Sequence, residues 1–253
     1  MTFTLPWAGL EGVLLAGVRM AAFLVIAPPF SHRGIPGRIK AMLAVALGLL
    51  VAPRADAEAD PSDIGGFVGQ LLMQVLIGAA LGFLVALVFA AVQSAGALLD
   101  LFAGFQMAAA FDPLNQTSGA QLQRLYQMTA VVLLFVSDGY QMVIGGLVRT
   151  FDVIPLGTSL DLAAMAAASA EGLTGMFLAA LQVAGPLAVV LFLADVGLGL
   201  LTRVAPALNA FALGFPLKIL LTLSLGGMAY LALPGMVSSL TDDAVRTVIG
   251  VSP

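Results

Sequence analysis

Between Asp63 and Asp100 the chain carries no charged residue. A helical membrane span needs roughly 20 apolar residues, so this run is too long for one upright crossing. No turn residues split it convincingly. Two readings stand: a long, tilted helix that reaches beyond the lipid, or two packed helices. Composition fits the same picture. Of 253 residues 60% are apolar and 9% charged, with a mean hydropathy of +1.06, whereas soluble domains run near 45–50% apolar and about 25% charged. A 25.8 kDa chain cannot hide that surplus in a core of its own, so lipid or partner helices must cover the rest. The expected fold class is all-α and polytopic, with about six apolar segments forming long and broken hairpins.

Several function classes drop out early. The formal net charge is −4, which provides no basic field for nucleic acid. Without cysteine there are no disulfides, thiolate metal sites or cysteine nucleophiles, and the redox compartment stays open. No Lys or Arg precedes the first apolar run and Glu11 sits within its start. That is not a typical signal peptide, so the first segment is expected to remain in the mature protein. No HExxH, GxSxG, phosphate-binding loop or metal-spaced His cluster occurs, so neither an enzyme nor a resident cofactor is expected.

Segment one runs from about Leu5 to Phe30, interrupted by Glu11 and Arg19. A basic turn follows from Ser31 to Lys40, with His32, Arg33 and Arg38; this lone His is not read as a metal ligand. Segment two, Ile39 to Ala52, is about half to two-thirds of a span. An acidic loop, Pro53 to Asp63, leads into segment three, which holds the uncharged run, continues through a small-residue and aromatic stretch from Ala103 to Phe111 and closes at Asp112-Pro113 before a polar loop from Asn115 to Arg124. Segment four is Leu125 to Val148 with Asp138-Gly139 in its middle; residues 151–160 read as a loop and Ala163 to Ala170 as a short surface helix. Segment five is Leu173 to Leu201 with Pro186 and Asp195 inside, and segment six is Val204 to Leu233 with Pro206, Pro216 and Lys218. A short tail is expected from Pro234. The basic turn is the one clear cationic cluster and is expected on the cytoplasmic side.

Two patterns stand out. Gly66, Gln70, Gln74, Gly78, Gly82, Ala86, Ala90 and Ser94 recur every four residues. Small faces let helix backbones approach, and Gln can bond across the contact. A repeat of four exceeds the helical 3.6, so the stripe winds right-handed. Gly78, Gly82, Ala86 and Ala90 are therefore helix-packing candidates, with chance in a Gly- and Ala-rich chain as the alternative. The second pattern is charge within apolar segments: Arg19, Asp100, Asp138, Asp195, Arg203 and Lys218. Each costs a few kcal/mol at mid-depth if it faces lipid. They read either as a substrate or proton path, or as side chains buried against partners and helix ends. For Arg203 and Lys218 the second reading is favoured, as donors to carbonyls freed before Pro206 and Pro216.

Three stretches carry a family likeness. The first is Ala27-Pro28-Pro29-Phe30-Ser31 through Arg33, Pro36, Arg38 and Lys40. The second is Gly96 to Pro113. The third and most specific is Gly199 through Arg203, Pro206 and Asn209, then Gly214-Phe215-Pro216-Leu217-Lys218. Together they resemble the FliR family of flagellar export-gate proteins, whose virulence-system relatives are the T components of injectisome export apparatuses. Departures include Ala97 where the family often has Glu, Asp100 to Gly104 where Gly-Leu-Gln-Met-Gly is frequent, and Ala207 in place of Gln.

The resemblance implies a single export-gate domain over residues 1–253. It implies assembly with FliP-like, FliQ-like and FlhB-like subunits into a right-handed gate in the bacterial inner membrane, at the flagellar basal body. Unfolded flagellar subunits would pass through it. A loop near Phe105 to Gln116 would plug the closed pore, with Phe105, Met107 and Phe111 as its apolar tips; flexible Met and Phe side chains could reseal round a passing chain. A stand-alone secondary transporter is the competing class, supported by broken helices and buried charges but lacking two repeated halves. Intramembrane hydrolysis lacks its residues.

Overall fold

The computed structural model describes residues 7–54, 64–106, 120–157, 162–205 and 210–248. Seven α-helices occupy these stretches: α1 (Trp7–Ile26), α2 (Gly37–Val51), α3 (Ile64–Ala103), α4 (Gln121–Val136), α5 (Gly139–Val153), α6 (Leu162–Val204) and α7 (Ala210–Val248). A single 3-10 turn, Ala52–Arg54, follows α2. No strand occurs among the described residues. The chain divides into two compact units. One comprises residues 1–88, 138–173 and 240–253, and the other residues 89–137 and 174–239.

The uncharged run resolves as one helix. α3 is 40 residues long, about 60 Å at 1.5 Å per residue. A bilayer core of ~30 Å crossed at a 40° tilt needs only about 40 Å of helix, so part of α3 must be covered by something other than lipid tails. The 43 residues of α6 extend further still. Ala163 to Ala170 does not form a separate surface helix; it is the opening of α6. Ala is the strongest helix former, and Gly172 does not interrupt the helix because it is where Leu84 and Leu87 close in, with a Cβ there falling 2.8 Å from the Leu87 side chain. Pro234 likewise fails to end the last segment, since α7 continues through it to Val248. The expected fourth segment divides at Ser137-Asp138, where Asp138 takes a left-handed conformation (φ 55°) ahead of α5. α5 then runs to Val153, into residues expected to be loop.

Among the described residues two helices, Ile64–Ala103 and Ala163–Val204, are long and apolar enough to cross a membrane; two bent pairs raise the count to four if each pair is one span. Large apolar side chains of α6, including Phe177, Leu181, Phe192 and Leu200, point outward. With no acyl chain or neighbour against them they would meet water, which polytopic membrane helices do not do.

In the first unit α1 packs on α2 and α3 with almost no side chain between backbones. A Cβ on Gly48 would lie 2.9 Å from the Gly17 amide nitrogen. A Cβ on Gly82 would lie 3.1 Å from the Phe23 carbonyl oxygen, and one on Gly78 would collide with the Arg19 carbonyl oxygen and with Ala22. The core beside these contacts holds Leu15, Met20, Phe23, Leu24 and Ile77, all essentially inaccessible. In the second unit Val92, Ala95 and Leu99 of α3 are buried, as are Tyr126, Ala130 and Leu134 of α4. Tyr126 meets Tyr230 edge to face at 6.2 Å between ring centroids, and the Tyr230 hydroxyl shares a 2.9 Å hydrogen bond with Thr129 Oγ1.

Because the obstacle at Gly78 is backbone, it cannot rotate away. Gly78→Val should destabilise the protein by about 1–3 kcal/mol and lower its level in membranes. Gly69→Val, with nothing within 4 Å of the added carbon, should be tolerated. Quantitative immunoblotting of membrane fractions checks both; equal levels for the two variants would contradict the packing described.

Candidate functional site

Helix ends leave backbone groups unpaired, and in lipid water is not there to satisfy them. Two buried charges meet this need. Asp100 lies near the end of α3 and is fully buried. Its Oδ1 accepts from the Leu122 N–H at 3.0 Å and its Oδ2 from the Gln123 N–H at 2.9 Å. These are the second and third helical amides of α4, whose own N-cap is Ala120 and has no side-chain acceptor. Asp100 therefore caps a helix begun some twenty residues later, a carboxylate at the positive end of a helix dipole. Gly96 makes the approach possible, because a Cβ there would fall 2.7 Å from the Gln123 Cα.

The same residue closes its own helix. Gly104 takes a positive φ of 80°, its N–H bonds the Leu101 carbonyl at 3.2 Å, and the Phe105 N–H bonds the Asp100 carbonyl at 3.1 Å. This is a Schellman closure, and its left-handed position suits glycine. Both ends of the connection from α3 to α4 are thus fastened at Asp100.

Arg19 does the corresponding work in the first unit. It is fully buried at the inner face of α1. Its Nε donates to Gln74 Oε1 at 2.6 Å, Nη1 to the Thr150 carbonyl at 3.3 Å and to Thr150 Oγ1 at 3.4 Å, and Nη2 to the Ile154 carbonyl at 2.9 Å. The guanidinium lies 4.0 Å from the Phe151 ring centroid, a cation–π contact. Thr150 and Ile154 are at the C-terminus of α5, where the dipole favours a cation; the Thr150 carbonyl also accepts the Ile154 N–H at 2.8 Å.

The other candidates are dispersed. Gly78 and Gly82 lie against α1 as described, while Ala86 and Ala90 are half-buried. Lys218 is not turned to a proline-freed carbonyl: its Nζ pairs with Asp195 Oδ1 at 2.6 Å, tying α7 to α6. Arg203 is exposed in the last turn of α6, where a cation suits the dipole. Pro216 is exposed within α7. Phe105 is half-buried within the Schellman closure; Met107, Phe111 and Pro206 lie outside the described residues. Among the described residues no group of three or more His, Asp or Glu could hold a metal ion. Sequence reading flagged Arg19 and Asp100 as charges in apolar segments but assigned them no partner. The signal for Asp100 was available, since α4 begins behind an Ala that cannot cap it.

The fold and these caps define an all-α, polytopic membrane protein whose buried charges serve helix ends. Comparison with known sequences gives the particular family. Residues 10–244 match the bacterial export proteins, family 1, and the chain belongs to that family. It is 35% identical over 209 residues to the flagellar biosynthetic protein FliR of Escherichia coli K12, covering 82% of this chain and 80% of the relative. The FliR protein of Bacillus subtilis 168 is 30% identical over 209 residues, 81% of each chain. The secretion system apparatus protein SsaT of Salmonella typhimurium LT2 is 31% identical over 159 residues, 62% of this chain and 61% of the relative.

Asp100→Ala should release the first turn of α4. An N-cap contributes about 1–2 kcal/mol, so amide exchange at Leu122 and Gln123 should accelerate by roughly 5- to 30-fold. Hydrogen–deuterium exchange with mass spectrometry reads this directly; unchanged protection would mean that Asp100 does not hold the turn.

Proposed function

We propose that this chain is the FliR-type core subunit of a flagellar protein export gate, a non-enzymatic part of the pore through which unfolded flagellar subunits leave the cytoplasm. The match across residues 10–244 carries this reading. A secondary transporter is set aside, because the relatives are flagellar and secretion-apparatus proteins. The outward apolar faces of α3 and α6 support a life among partner helices. On this reading FliP-like and FliQ-like subunits cover them, an FlhB-like subunit joins the complex, and the gate sits in the inner membrane at the flagellar basal body.

Within the gate, the connection between α3 and α4 forms the plug, with Phe105, Met107 and Phe111 as its apolar tips. The fastening of both ends at Asp100 supports the assignment, since a loop that must yield and return needs fixed ends. Arg203, Pro206, Pro216 and Lys218 shape the broken α6–α7 region for assembly, and the Asp195–Lys218 pair ties its two helices together.

Co-expression with FliP-like and FliQ-like subunits should yield one large complex on affinity purification of this chain. A chain recovered alone and transport-competent would contradict the proposal. Deleting residues 105–111 should leave assembly largely intact while making the cells permeable to small ions, measured as membrane depolarisation. A deletion strain that stays tight removes the plug assignment.

A further inference from the structure

The face of α2 turned away from α1 is exposed among the described residues, and its chemistry is not uniform along its length. The inner face, Ala44, Gly48 and Val51, is buried. The opposite face exposes Ile39, Met42, Val45, Leu49 and Leu50, each more than half accessible, with Met42 at 73%. Arg38 lies on that same side, one turn ahead of Met42, and is exposed. Arg33, in the preceding turn, is exposed and Lys40 half-buried. The turn is ordered by bonds from the Ser31 N–H to the Ala27 carbonyl at 3.0 Å and from the Ile35 N–H to the His32 carbonyl at 3.1 Å, and His32 Nδ1 accepts from the Gly34 N–H at 3.0 Å. No acidic residue occurs between Glu11 and Asp56, so nothing nearby in sequence neutralises this cationic end.

We propose that the basic turn and outer face of α2 form a binding site for an anionic phospholipid, with its headgroup phosphate at Arg33 and Arg38, Lys40 adding to the positive field of the turn, and an acyl chain along Met42, Val45 and Leu49. Lengths support the fit. α2 has 15 residues, about 22 Å at 1.5 Å per residue, too short to cross a ~30 Å core. From Arg38 to Leu50 the helix rises about 18 Å, close to one leaflet. A cationic end joined to an apolar stripe of that length matches one molecule carrying a phosphate and a hydrocarbon tail. A protein helix of equal length would have to supply acidic groups at one end only. The inference needs the chain to be in a membrane and does not depend on its being an export gate.

The test uses the full chain with its copurifying subunits in phosphatidylcholine nanodiscs carrying trace spin-labelled phosphatidylglycerol or phosphatidylcholine. Electron spin resonance measures the motionally restricted fraction of each label. Phosphatidylglycerol should be preferred, and R33Q/R38Q/K40Q should bring the preference towards unity, with up to ~5-fold lost per cation. About 0.5 M NaCl, where the Debye length is roughly 4 Å, should do the same to the unmodified protein. R33K/R38K should keep the preference. Should the triple variant fail to accumulate, the salt titration and the lysine variant decide. No preference in the unmodified protein, or one indifferent to salt and to the triple substitution, overturns the proposal. So does a triple variant that keeps its lipid preference and loses a copurifying subunit, which would make the turn a protein interface.

Discussion

A guanidinium inside an apolar helix cluster must find its acceptors in protein, and the first unit is built round that requirement. Moving such a charge out of water costs several kcal/mol. Arg19 offsets this through one amide oxygen on α3, two carbonyls and a hydroxyl at the end of α5, and an aromatic face. The planar fork can reach all of them at once, which an ammonium cannot. The arrangement also depends on close helix contact. Arg19 meets Gln74 because α1 and α3 touch nearly backbone to backbone at Gly78, one turn along from Gln74.

Asp100 repeats the logic with opposite sign in the second unit. An anion holds the N-terminus of α4 and a cation holds the C-terminus of α5, each from a distant point in the chain. Within an apolar surrounding these charges give partners to two amides at the start of α4 and two carbonyls at the end of α5. The ion pair between Asp195 and Lys218 has another character. Asp195 is 47% and Lys218 16% accessible, and such a pair in water would contribute at most about 1 kcal/mol. Surrounded by partner helices instead of water it would hold more firmly.

Much of the architecture could be read from composition and periodicity. The uncharged stretch before Asp100 was too long for one upright crossing, and the four-residue stripe included Gly78 and Gly82, which lie against α1. Other features could not be read, for identifiable reasons. Whether the uncharged stretch was one helix or two could not be settled locally, because contacts such as those of Gly78 and Gly82 with α1 lie far along the chain. Pro234 and the Ala-rich start of α6 looked like boundaries because local propensity cannot register neighbours that keep a helix going. Arg19 and Asp100 were visible as costly charges, but their partners lie far along the chain, and no local rule joins Arg19 to Ile154 or Asp100 to Gln123. Lys218 was assigned to a nearby proline for the same reason, when its partner was on the preceding helix.

The first unit depends most directly on the coupling of Arg19 to Gln74, which a double-mutant cycle measures. Arg19→Met, Gln74→Leu and the double variant would be compared by thermal or denaturant unfolding in detergent. Removing one partner strands the other in a dry site, whereas removing both does not. The double variant should therefore be more stable than Arg19→Met alone, with a coupling of about 1–3 kcal/mol. Strictly additive effects would show that the contact does not hold the first unit together.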